Sequence, residues 1–98
     1  MCGIVSTIGY TEDDVEVMLQ EIEHRGRDNR EIYQSGNVIL GHNRLSINDV
    51  SSDGNQPFVW NDYALVVNGE IWNYPQLRKE YEERGYRFFS NSDSEIIL

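Results

Sequence analysis

Cys2 stands directly after the initiator Met1. Removal of Met1 leaves a residue with a thiol and a free α-amine on neighbouring atoms. A free thiol ordinarily titrates near ~8.5 and an α-amine near ~7.7–8.0. The amine is then a base poised near working pH, one water away from a nucleophile. Thiol and base come from one residue, with no histidine needed. The competing reading makes Cys2 a small buried hydrophobe at a strand start.

Other residues offer chemistry of their own. Arg44 sits in Gly41-His42-Asn43-Arg44-Leu45-Ser46-Ile47, just after a buried apolar run. An arginine so placed can clamp a carboxylate with two parallel N–H donors; the plainer alternative is a surface ion pair. Asn68-Gly69 follows the apolar run Ala64 to Val67. As Asn-Gly between apolar runs it signals a hairpin turn. As a side-chain amide beside a backbone N–H it can form an oxyanion hole. Glu70 and Asp93 can each accept a hydrogen bond from an ammonium group, or serve as helix caps and solvated charges. His24 and His42 lack the partners for a zinc site and read as structural.

These residues need elements to hold them. Ile4 to Ile8 is short, β-branched and closed by Gly9, a buried strand. Thr11 and Asp14 form a capping box for a helix. Val15, Met18, Leu19 and Ile22 give that helix one apolar face, and Gly26 ends it. Six acids and no bases lie from Glu12 to Glu23, a solvated face. Glu31 to Gln34 is a weak strand, Asn37 a turn and Val38 to Leu40 a central strand. Leu45 and Ile47 alternate with polar residues, as in a strand covered on one face. Asn48 to Pro57 is a loop. Tyr63 to Val67 is another buried strand. Asn73 and Pro75 open a helix bearing Tyr74, Leu77 and Tyr81, which Gly85 closes. Tyr86 to Phe89 reads as a strand, and Ser92 with Glu95 as a second capping box that opens a third helix. Short connections between strands favour antiparallel pairing. The fold class is α+β, with helices on mainly antiparallel sheet.

Composition excludes several classes. The chain has 98 residues, 39% of them hydrophobic, with 17 acids against 8 bases. That is too apolar for a disordered chain. It is too acidic for a general nucleic-acid binder, which needs clustered Lys and Arg. No run reaches the ~18 apolar residues of a membrane span, and no signal peptide is visible. One cysteine excludes a disulfide framework and suits a reducing, cytoplasmic setting. The apolar run Glu95 to Leu98 breaks off in mid-pattern, so a truncated domain is expected.

Six segments occur in register: Met1-Cys2-Gly3-Ile4, His24-Arg25-Gly26-Arg27-Asp28, Gly41 to Ile47, Asn55-Gln56-Pro57, Asn68-Gly69-Glu70-Ile71-Trp72-Asn73-Tyr74 and Ser92-Asp93-Ser94-Glu95. Their order resembles the glutaminase domain of class II glutamine amidotransferases, which are N-terminal-nucleophile hydrolases. Arg-Leu-Ser-Ile and Asn-Gln-Pro look most like the asparagine synthetase branch. The resemblance spans Met1 to Leu98. It implies that Cys2 is the nucleophile, its own amine the base and a γ-glutamyl thioester the intermediate. It further implies that Arg44 holds the α-carboxylate of glutamine, with the Leu45 and Ile47 backbone lining that pocket. Asn68 and Gly69 would form the oxyanion hole, and Glu70 and Asp93 would take the α-ammonium.

The resemblance also implies an incomplete αββα sandwich, with residues 1–98 as the N-terminal half of the glutaminase domain and the synthetase domain absent. Ammonia would go to an acceptor, foremost aspartate, with a sugar or lactam precursor as less favoured acceptors. No metal or cofactor is expected in this segment; ATP and Mg belong to the missing synthetase domain, since no Gly-rich phosphate loop is present. Expected partners are glutamine and that domain, with no nucleic acid and no membrane, and self-association through open sheet edges. A different reading makes the chain a catalytically inactive fragment that acts as an interaction or regulatory module. Two positions depart from the family pattern: Arg27 stands where Pro is usual, and Ser6 where Gly is frequent. Loss of that proline alters loop stiffness beside the site.

Overall fold

The computed structural model describes residues 1–47 and 49–98. The first strand, β1 (Gly3–Ile8), leads through Gly9 and Tyr10 into α1 (Glu12–Glu21). The capping box at its start forms as read: Thr11 Oγ1 accepts from Asp14 N, and Asp14 Oδ2 accepts from Thr11 N. These bonds satisfy two of the otherwise orphaned groups at the helix start. A 3-10 turn, Glu23–Arg25, follows α1 and ends at Gly26.

β2 (Asn29–Ser35) and β3 (Val38–Arg44) form a hairpin through Gly36, whose φ of 58° suits glycine. β3 is central: β1 and β2 pair with it on either side, both antiparallel. Alternation along β3 turns Ile39, Gly41 and Asn43 toward α1. Val15, Leu19 and Ile39 are fully buried there. Each contributes about 1.5–3 kcal/mol through burial. Gly41 lets the helix sit close, because a Cβ there would come within 2.8 Å of Leu19 Cδ1. Asn43 Nδ2 donates to Leu19 O at 2.6 Å, and Arg30 ties Asn43 Oδ1 to Glu16 on the helix. The opposite face of β3 carries Leu40, His42 and Arg44, and so faces the site.

The loop after β3 contains a 3-10 turn, Ser52–Gly54, and then a small hairpin of β4 (Phe58–Trp60) and β5 (Tyr63–Leu65). Asn48, where the loop was expected to begin, lies outside the described residues. α2 (Tyr74–Glu83) has Asn73 at its N-cap, but the Asn73 side chain makes no capping bond. Pro75 sits in the first turn, and Gly85 ends the helix with φ 96°. A last 3-10 turn runs Asp93–Ile97. Fold class therefore agrees with the sequence: antiparallel sheets with helices, α+β.

Four local expectations are corrected. Leu45 and Ile47 are not in a strand: β3 runs to Arg44, after which Ser46 N bonds to Asp28 Oδ2 and Leu45 N to Cys2 Sγ. Ile47 is 72% exposed rather than covered. Tyr63 to Val67 pairs only as far as Leu65, with β4 as its partner. Tyr86 to Phe89 forms no ladder, because Tyr86 N bonds to Tyr81 O and Phe89 N to the Glu95 carboxylate. The Ser92 box also differs. Ser92 Oγ accepts from Ser94 N, while Glu95 binds Phe89 N, Ser90 N and Ser90 Oγ instead of turning back to Ser92.

Gly26 gives a test of the packing beside β3. A Cβ on it would stand 2.6 Å from Asn43 O and from the Arg44 carbonyl carbon, both backbone. Neither can swing aside as a side-chain end could. Gly26→Ala is expected to lower stability by about 1–3 kcal/mol, as overpacking does. Urea unfolding measures it, and an unchanged midpoint contradicts the packing described.

Candidate active site

The start of β1, the end of β3, the segment after β5 and the turn at Ser92–Ser94 meet around one cavity of about 280 Å³. Cys2, Arg44, Leu45 and Ile47 line it, together with Asn68, Gly69, Glu70 and Asp93. All eight residues singled out by sequence are thus brought to one place. Met1 lines the same cavity and is 70% exposed.

Cys2 is half-buried at the mouth of β1. Its Sγ accepts from Leu45 N at 3.3 Å and lies 3.7 Å from Leu45 O. Its carbonyl accepts from Arg25 Nε at 2.9 Å. The thiol is therefore fixed by the chain just beyond Arg44, and the backbone by the turn that follows α1. Arg25 entered the sequence reading only as part of a motif; its bond to Cys2 crosses 23 residues and has no local signature.

Arg44 is buried, with 6% exposed. Its Nη1 donates to Ser51 O at 2.5 Å and to Asn55 Oδ1 at 2.8 Å. Two of its five N–H donors thus hold the loop, and Nη2 and Nε have no partner among the described residues. Gly54 makes room for the guanidinium, since a Cβ there would run into Nη2. The surface ion pair is replaced by a buried cation pinned at one end and open at the other.

Asp49 braces this loop. Its Oδ1 accepts from Ser51 N and Oγ, and its Oδ2 from Asn91 N. The Ser51 hydroxyl and the Asn91 N–H hold its carboxyl below the usual carboxylate range. The bond to Asn91 carries the next segment toward the cavity. There, buried Asp93 accepts from Ile71 N through Oδ2 at 2.7 Å. Asp93 thereby ties down the stretch that follows Gly69 and Glu70. Glu70 is exposed.

Asn68-Gly69 is not a hairpin turn. The chain continues through Ile71 into α2, and Gly69 lacks the positive φ that a type I′ turn requires. Both residues face the cavity from an exposed loop.

Three further lining residues were not read as site residues from sequence: His42, read as structural, and Gln56 and Val67, read only as parts of a motif and a strand. His42 is fully buried, with Nε2 3.3 Å from Val67 O and Nδ1 unpartnered among the described residues. Burial is the largest cause that lowers its pKa from 6.5 to about 4, and Arg44 adds to the shift. The ring is therefore uncharged at neutral pH. In the unfolded chain it takes up a proton at higher pH than in the fold. Its contribution is complete above pH 6.5 and is lost as pH falls toward 4. The loss totals roughly 3 kcal/mol. His42→Gln should flatten this part of the stability profile, read by denaturant unfolding at about pH 7 and about pH 4.5. An unaltered slope contradicts a neutral buried ring. Among the described residues no three His, Cys, Asp or Glu side chains converge as metal ligands.

The glutamine amidotransferase domain family matches residues 1–98. This chain belongs to that family. Its antiparallel sheets and helices are the mixed arrangement of part of an N-terminal-nucleophile hydrolase fold. Asparagine synthetase (glutamine-hydrolyzing) 1 of Bacillus subtilis is 41% identical over the whole chain, which covers 17% of that protein. Asparagine synthetase B (glutamine-hydrolyzing) of Escherichia coli is 44% identical over the whole chain, covering 19%. Asparagine synthetase (glutamine-hydrolyzing) 1 of Arabidopsis thaliana is 37% identical over 99% of the chain and 18% of its own length. The chain thus spans less than a fifth of these relatives. No helix among the described residues is long and apolar enough to cross a membrane.

Proposed function

We propose that this chain is the N-terminal half of a glutaminase domain, which releases ammonia from glutamine through a Cys2 thioester. The reading is carried by one observation: a thiol next to the chain start, a buried guanidinium, an Asn-Gly pair and two carboxylates share one cavity.

With Met1 removed, the Cys2 amine takes the thiol proton and sulfur attacks the side-chain amide carbon of glutamine. The carbonyl electrons move to oxygen, where the Asn68 amide and the Gly69 N–H stabilise the developing charge. The amine returns its proton to the leaving nitrogen, and ammonia departs from the γ-glutamyl thioester. Water, deprotonated by the same amine, opens the thioester to glutamate and frees the thiol. The α-carboxylate lies on the open side of Arg44, with the Leu45 and Ile47 backbone beside it. Glu70 and Asp93 take the α-ammonium.

In the longer protein the ammonia goes to an acceptor, which by analogy with the relatives is aspartate. ATP and magnesium serve that second step in a synthetase region and not in this segment, and the setting is cytoplasmic. Beyond glutamine and that region, the sides of β1 and β2 that are unpaired among the described residues offer edges for a second copy. The test is glutamate and ammonia release from glutamine by a protein carrying this chain. Equal amounts of the two products are expected; no release contradicts the reading.

A further inference from the structure

We infer that Gln56 and His42 are positioning residues for the oxyanion pair: they grip Val67 at both its N–H and its C=O and so set where Asn68 and Gly69 stand. The inference rests on the glutaminase reading and adds residues to it.

Among the described residues the backbone around Val67 has no strand partner. The β4–β5 ladder ends where Phe58 pairs with Leu65. In the same register Val67 would next face the Gln56 backbone. Instead the Gln56 side chain takes over: its Oε1 accepts from Val67 N at 2.7 Å. His42, reaching from the face of β3 opposite α1, places Nε2 3.3 Å from Val67 O. A carbonyl only accepts, so the ring carries its hydrogen on Nε2. Nδ1 is then the accepting nitrogen, and no donor reaches it among the described residues.

Both side chains are buried, His42 fully and Gln56 to within 5%. Both also line the cavity. Buried polar groups of this kind hold geometry firmly, because releasing either leaves a desolvated group unpaired. The Val67 carbonyl lies in the same peptide plane as the Asn68 N–H. Fixing that carbonyl fixes the plane that ends at the Asn68 Cα, from which the Asn68 side chain projects, and the Gly69 N–H stands in the next plane on. Asn68 and Gly69 are themselves exposed, so their placement must come from this anchor on one side and from the Asp93 bond to Ile71 on the other. An oxyanion hole acts only if its donors stand where the charge develops. Loosening the anchor should slow the covalent step and leave substrate affinity nearly intact.

The experiment follows alkylation of Cys2 by the diazoketone analogue of glutamine, using a protein that carries this chain, with Met1 removed. His42→Met and Gln56→Met keep size and remove the donor or the acceptor. Each should lower the maximal alkylation rate constant about tenfold or more, with the half-saturating concentration within about threefold. His42→Gln and Gln56→Glu restore the donor or acceptor and should recover to within about threefold. Unchanged maximal rates in the methionine variants overturn the inference, as does a loss that the conservative variants do not rescue. A measurement on the unsubstituted chain does not depend on how the variants fold: the Val67 amide should exchange with solvent slowly, and exchange as fast as that of exposed Glu70 overturns the clamp. No alkylation of the unsubstituted chain overturns the glutaminase reading, and this inference with it. Alkylation that proceeds equally in all variants overturns this inference alone.

Discussion

Cys2→Ala is expected to abolish glutamine hydrolysis, a loss on the order of 10⁴–10⁶-fold, as removal of a nucleophile produces in other hydrolases. The loss should appear in kcat, because Arg44 and the acidic side chains still line the cavity in this variant. The fold should survive: among the described residues the hydrogen bonds of the Cys2 side chain, at the start of β1, are the two with Leu45. Cys2→Ala melting like the parent, with no glutamate release, is the expected pair of results. Hydrolysis retained in this variant would remove the thiol from the chemistry.

Arg44→Ala is expected to raise KM for glutamine about a hundredfold, equivalent to about 3 kcal/mol, through loss of a charge-assisted clamp on the α-carboxylate. Arg44 also has a second task that the sequence did not disclose. Its Nη1 anchors Ser51 O and Asn55 Oδ1, so the same variant frees the loop and lowers stability. Arg44→Lys separates the two tasks. Lysine keeps the charge and loses the planar fork, so the KM penalty should shrink without vanishing. Asn55→Ala removes one loop bond and leaves the guanidinium in place. If Arg44→Ala leaves KM unchanged, the carboxylate is bound elsewhere.

What could be read from the sequence follows the range of each interaction. The α1 cap was legible because Thr11 and Asp14 are three residues apart and settle their bonds between themselves. The Ser92-Glu95 pair has the same spacing and fails, because Glu95 finds Phe89 N, Ser90 N and Ser90 Oγ, which satisfy it more fully. Tyr86 to Phe89 has strand-like residues, but a strand exists only with a partner, and none pairs with it among the described residues. Leu45 and Ile47 alternate as a strand does, yet Cys2 and Asp28 claim the backbone N–H groups there.

The site was legible differently. Cys2, Arg44, Asn68, Gly69, Glu70 and Asp93 could be named because six segments in register resemble one family; taken singly, each also admitted a plainer structural reading. Their supports could not. Arg25 at the Cys2 carbonyl, Asp49 between Ser51 and Asn91, and Gln56 and His42 on Val67 act over 2 to 42 residues. A glutamine or histidine making such a bond looks in sequence like any other buried polar residue.

Peptide mapping by mass after treatment with the diazoketone analogue bears most directly on the thiol at the chain start. One adduct is expected, on Cys2 as the N-terminal residue, and an excess of glutamine should suppress it. A chain that has lost Met1 and stays unlabelled, or an adduct that glutamine does not suppress, contradicts a glutamine site built around that thiol.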